Sequence, residues 1–192
     1  MSRLVAVAAV ALLAALIAAP AASAAPKCDG KPADIVRGGG DDTIFGTSGN
    51  DVIVAGEGND VIDGRGGNDR ICGEEGKDEV FGSKGDDKLF GEKGRDDLMG
   101  NNGDDELDGD RGNDDLFGQK GNDRIVGSDD QDDLVGGTGE DELKGGTEND
   151  DLFGGKDPDA LDGGEGDNDE CEGGPPAEGD TAENCEKTSG VP

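Results

Sequence analysis

Gly46-Thr47-Ser48-Gly49-Asn50-Asp51-Val52-Ile53-Val54 is a six-residue polar loop running into a three-residue apolar strand, and the chain repeats it almost without pause. Gly118-Gln119-Lys120-Gly121-Asn122-Asp123-Arg124-Ile125-Val126 is the same unit eight steps further on. From Arg37 to Asp162 fourteen such nonapeptides follow one another with no insertion. A fixed period of this kind marks a stacked-repeat architecture, in which a unit buries its apolar residue only against its neighbours. The sixth position is aspartate in every unit: Asp42, Asp51, Asp60, Asp69, Asp78, Asp87, Asp96, Asp105, Asp114, Asp123, Asp132, Asp141, Asp150 and Asp159. The eighth is always aliphatic, from Ile44 through Val80 and Leu107 to Leu161. Glycine fills the first position in twelve units and the fourth in eleven.

Each fixed position has a physical reason. Glycines at positions one and four permit φ > 0 and let loop carbonyls approach a ligand closely. Asparagine or aspartate at position five tolerates the same backbone region. The sixth-position carboxylate adds a hard, charged oxygen, the donor type that Ca²⁺ gathers in sixes to eights. Positions seven to nine make a minimal strand whose central side chain points inward. Two units complete one coil of eighteen residues, so alternate units stack into two parallel sheets and the expected fold is an all-β solenoid. One inward aliphatic per unit is a thin core for a chain with 38 glycines and 48 acidic against 17 basic residues. Such a core does not offset the entropy and self-repulsion of ordering the chain. Cations held between loops supply the missing stabilisation, because their binding becomes folding energy.

The pattern G-G-x-G-x-D-x-U-x resembles the RTX (repeats-in-toxin), hemolysin-type calcium-binding nonapeptide, and the resemblance covers about two-thirds of the chain. It implies a right-handed parallel β-roll of about seven two-repeat coils, with Ca²⁺ held between stacked loops by the sixth-position aspartates and loop carbonyls. Seven loops on each side leave six gaps, hence up to about twelve calcium sites. Asp130, Glu148 and Asp157 stand where position four calls for glycine, and Arg37 opens the first unit. Lys77, Lys84, Lys93, Arg95 and Lys120 bring positive charge to other loops. The three or four C-terminal loops are therefore expected to bind least tightly. Many members carry a toxin or protease domain and are exported by a C-terminal signal. Neither domain is expected here, so the resemblance transfers fold and calcium binding but not toxicity or proteolysis.

Residues 1–24 read as a cleaved secretory signal: Arg3, an apolar run from Leu4 to Ala19, Pro20, and a small-residue site at Ala22-Ser23-Ala24. The alternative, a membrane anchor, suits the length of the run but not the proline break and small-residue tail. Residues 25–36 form an N-terminal cap, 37–162 the repeats, and 163–192 a degenerate unit with a C-terminal cap and tail. In that worn unit Asp169 and Cys171 fall near their expected places after a one-residue slip, and the tail from Gly173 onward reads as a linker-like closure. Cys28, Cys72, Cys171 and Cys185 suit two disulfides in an oxidising compartment. Three pairings are open, and the favoured one joins Cys28 to Cys72 and Cys171 to Cys185.

Position nine of the odd units reads Phe45, Asp63, Phe81, Met99, Phe117, Val135 and Phe153, so four of the five phenylalanines recur on one face. They are either sheet cover or an interaction stripe. The expected function is that of a secreted, extracellular calcium-binding protein acting as a structural or binding module. The alternative is a calcium-dependent adhesin or self-associating surface protein using Phe45, Phe81, Phe117 and Phe153. A net charge of −31 argues against nucleic acid and anionic membranes as partners. With no histidine in the chain a Ser-His-Asp arrangement is impossible, and nearly every aspartate already belongs to the repeat, so no enzyme is expected.

Overall fold

An aliphatic residue at the centre of each short strand has one place to go, the space between two sheets. The computed structural model describes residues 26–175 and 179–190, and among them there is no helix. Two nine-stranded sheets carry the fold. One runs from Thr43–Phe45 to Lys187–Ser189, the other from Ile35–Val36 to Thr181–Glu183, each taking strands from alternate units in chain order. Every pairing within them is parallel, and through the repeats residues eighteen apart lie side by side: Leu98 lies between Val80 and Leu116, and Leu107 between Leu89 and Ile125. The chain thus winds as a parallel β-solenoid of about eight turns, the all-β roll that the period predicts.

The eighth-position residues form the core. From Ile44 to Leu161 they are at most 2% exposed, and Cys171 continues the column. Most strands are twice as long as the three residues expected. Asp97–Asn102, for example, runs on through positions one to three of the next unit, pairing Asn101 with Ser83 and Gln119. The loop is correspondingly tighter than the sequence suggests.

Past the repeats the period breaks while the sheets continue. Asp151 pairs with Glu170, nineteen residues on, and Ala160 with Thr181, twenty-one on. The extra residues are absorbed in the turns, where length is cheap compared with loss of a strand partner. The segment read as a linker-like closure instead supplies Thr181–Glu183 and Lys187–Ser189, one further strand for each sheet.

At the other end a small antiparallel hairpin, Lys27–Cys28 with Lys31–Pro32, lies over the second sheet. It buries Cys28 against Val54 and Cys72, and Asp29 meets Arg70 at 3.0 Å. Disulfides join Cys28 to Cys72 and Cys171 to Cys185, the favoured pairing. The expected secretory signal, residues 1–24, lies outside the described residues.

Because each core residue touches mainly the coils above and below, Leu107→Ala should destabilise the metal-loaded protein by about 2–5 kcal/mol. Denaturant unfolding followed by far-UV circular dichroism measures it.

Candidate metal centres

The sixth-position aspartates end each loop just before the inward aliphatic, and this location buries them. From Asp51 to Asp159 they are 0–9% exposed, whereas Asp42 at the open end is half-buried. From Asp60 onward each carboxylate is held the same way, its Oδ1 accepting the backbone N–H of the aspartate one coil earlier. Asp60 accepts from Asp42 at 2.7 Å, Asp105 from Asp87 at 2.8 Å and Asp159 from Asp141 at 3.0 Å. Two rows result, one from Asp42 to Asp150 in steps of eighteen, the other from Asp51 to Asp159.

Each row gains a member from beyond the repeats. Asp169 accepts from Asp150 and Asp180 from Asp159, both at 3.0 Å, and both are buried. Asp180 was missed from sequence because a twenty-one-residue step hides it. The order Gly179-Asp180-Thr181-Ala182, glycine then aspartate then a small apolar residue two places on, is the signal that remains.

The second carboxylate oxygen is the informative one. Oδ2 of every sixth-position aspartate from Asp60 to Asp159, and of Asp169 and Asp180, is buried with no hydrogen-bond partner. A buried carboxylate oxygen left unpaired is costly, so a repeated row of them calls for a cation. Asp51 differs. Its Oδ2 accepts from the Thr47 amide at 2.6 Å and the Thr47 hydroxyl at 2.9 Å, so that loop satisfies its own carboxylate.

Glycine at position one makes room for this oxygen. A β-carbon at Gly91 would stand 2.6 Å from Asp96 Oδ2 and 2.8 Å from the Gly109 carbonyl one coil on. At Gly109 the corresponding distances are 2.5 Å to Asp114 Oδ2 and 2.9 Å to the Gly127 carbonyl. Carboxylate and carbonyl oxygens from successive coils thus flank a space that any side chain would fill. The expectation of φ > 0 at position one is corrected: the left-handed residues sit at positions two and four. Position two takes it even without glycine, from Asp110 at 66° to Ser128 at 88°. At position four Asp130, Glu148 and Asp157 adopt 77°, 75° and 77°, so the C-terminal loops keep the shared backbone path despite lacking glycine.

Position five has a role beyond backbone tolerance. Asn50 Oδ1 accepts the Asn68 amide at 2.8 Å and Asn122 Oδ1 the Glu140 amide at 2.9 Å, a second, exposed ladder between coils. Three of the five loop cations are engaged away from the rows. Lys77 meets Asp97 at 3.6 Å, Lys93 meets Glu75 at 2.6 Å and Arg95 meets Asp115 at 3.0 Å, all surface acids outside position six.

Burial sets the electrostatics. Desolvation pushes Asp87, Asp96, Asp105, Asp114 and Asp141 up to about 7 and Asp132 to about 8, opposed in part by the backbone N–H donors. Asp69, Asp78, Asp123, Asp150 and Asp159 rise to about 6 for the same reason. Neighbouring carboxylates, such as Asp87 and Asp123 beside Asp105, add to the rise. A divalent cation in the row would reverse this by favouring the charged form. Among the described residues no three acidic, histidine or cysteine side chains converge on one point. An ion here would therefore take one or two carboxylates and complete its shell with loop carbonyls. Oxygen-only donors, no sulfur or imidazole, and rows of unpartnered carboxylate oxygens fit Ca²⁺.

Four consecutive segments, 36–71, 73–107, 108–143 and 144–169, match the profile of the RTX calcium-binding nonapeptide repeat. No curated protein matches the chain.

The raised values carry a pH dependence for the metal-free protein. An aspartate whose folded value exceeds its ordinary 3.8 binds more protons folded than unfolded at intermediate pH, so folding stability falls as pH rises. For these rows the contribution is fully present below about 3.8 and is lost as pH rises through about 6 to 8. In excess chelator the far-UV β-sheet signal should therefore grow as pH is lowered from about 8 to about 4.

Proposed function

Because the chain belongs to the RTX calcium-binding nonapeptide repeat family, we propose that it is a secreted calcium-binding module that folds as its loops take up Ca²⁺ between stacked coils. The observation that carries this reading is the row of buried, unpartnered Oδ2 atoms from Asp60 to Asp159. Bound Ca²⁺ supplies positive charge and a flexible oxygen coordination shell that ties successive loops together. The sixth-position aspartates are its carboxylate ligands, with up to about twelve sites in the fourteen repeats. Asp51 contributes least, since Thr47 already satisfies it. The role is binding and structural rather than catalytic. Export through the signal in residues 1–24 delivers the chain to a compartment where Ca²⁺ is abundant and disulfides persist.

Asp105→Asn should weaken calcium uptake on the order of tenfold, whereas Asp51→Asn should leave it nearly unchanged. Far-UV circular dichroism during calcium titration separates the two. The same titration with Mg²⁺ should produce little folding, because Mg²⁺ sheds water reluctantly and demands octahedral geometry. A full β-sheet spectrum in chelator at neutral pH, unchanged by Ca²⁺, overturns the reading.

A second reading concerns the first sheet's outer face. Phe81, Met99, Phe117, Val135 and Phe153 are direct ladder neighbours, each half-buried, beside the acidic column Glu79, Asp97, Asp115, Asp133 and Asp151. This row is a calcium-dependent contact for a second copy, whose other face offers Arg124 against the acids. Sedimentation should show association in Ca²⁺ that Phe81→Ser with Phe117→Ser abolishes. Monomeric wild type at high concentration excludes it and leaves the row as sheet cover or an adhesive surface for another molecule.

A further inference from the structure

Resting on the calcium reading above, we propose one further calcium site outside the nonapeptide register, built on Asp169 and roofed by the backbone carbonyl of Asn184. Asp169, in the degenerate unit one residue out of register, keeps the features of a repeat aspartate. It is fully buried, its Oδ1 accepts the Asp150 amide at 3.0 Å, and its Oδ2 has no partner. A β-carbon at Gly163 would stand 2.8 Å from Asp169 Oδ2 and would also meet the Asn184 carbonyl. At Gly91 the same space lies between Asp96 Oδ2 and the Gly109 carbonyl. Asn184 thus occupies the place that a position-one glycine of the next coil holds elsewhere.

What brings Asn184 there is identifiable. Cys185, its neighbour, is disulfide-bonded to Cys171 in the core column. Asn184 takes a left-handed φ of 52°, and its side-chain amide donates to Asp162 at 2.6 Å. The Glu186 carboxylate accepts the Asp169 amide at 2.7 Å, the bond that the next aspartate of the row makes elsewhere. The Asp169 carbonyl accepts the amides of Glu186 and Lys187, each at 3.1 Å. The site therefore has a carboxylate oxygen, a roof carbonyl, and a tail held over it by a covalent bond.

The test is equilibrium dialysis with ⁴⁵Ca on the disulfide-bonded chain, counting ions per chain and their affinities. Asp169→Asn keeps the Oδ1 acceptor for Asp150 and should lose one ion. Cys171→Ala with Cys185→Ala keeps Asp169 but frees Asn184, and should weaken one ion by about tenfold or more. Asp167→Asn, an exposed neighbour, should change neither count nor affinity. If Asp169→Asn retains the wild-type count and affinities, or weakens all ions alike, the proposal is overturned. If wild type binds no calcium, the reading beneath it fails instead.

Discussion

From Asp60 onward each buried aspartate of the two rows commits one oxygen to the amide of the coil before it and leaves the other facing a gap between coils. The rest of the structure is arranged around that division. The first oxygen sets the stacking: Asp105 and Asp123 are joined through a side chain and an amide, as well as through the strands that follow them. The second makes the stacking conditional, because fourteen unpartnered oxygens cannot be buried at neutral pH without something positive beside them. Glycine at position one then follows from the space needed beside Oδ2, and the left-handed residues at positions two and four follow from returning the chain in so few residues. The aliphatic column fills the inside, but it is too narrow to specify the fold by itself.

How much of this is legible in sequence depends on whether the information lies in the period. The parallel sheets, the eighteen-residue register and the inward column follow from a pattern kept for 126 residues, and Val80 or Leu107 could be placed without coordinates. The aspartate rows follow for the same reason. What the period hides is where a residue is used differently from its counterparts. Thr47 is one polar residue among varied position-two side chains, and only the loop geometry shows that it satisfies Asp51. Asp180 escapes because the final coil has an extra stretch, so counting by nines passes over it. At position one the close approach holds but φ > 0 does not, since the need for φ > 0 and the need for an absent side chain look identical as the letter G. Lys77 and Lys93 read as charges opposing a cation, and their reach toward the surface acids Asp97 and Glu75 is visible only in three dimensions.

The ends obey different rules from the middle. An interior coil is held by two neighbours, whereas a terminal one has a single neighbour and an open sheet surface. Here both ends are tied covalently, by Cys28–Cys72 across forty-four residues and Cys171–Cys185 across fourteen. The N-terminal bond fastens a hairpin over Val54, which would otherwise be an apolar surface in water. The C-terminal bond fastens a tail whose sequence has lost the repeat while its backbone continues both sheets. Departure from the consensus in these segments is therefore change of means, with a covalent link replacing the period.

The parallel ladders also fix the roll as a charged line. Strands in a sheet are spaced about 4.8 Å apart, so each row presents one carboxylate for about every 4.8 Å of axis. That spacing is shorter than the Debye length of about 8 Å in physiological salt, so no charge in a row is screened from its neighbours. Such an object behaves less like a set of separate sites than like a short polyelectrolyte, in the manner of a nucleic-acid backbone with its counterions. Monovalent salt competes for the same field, neutralising one gap eases the gap beside it, and the length of the repeat array sets how many carboxylates share that field.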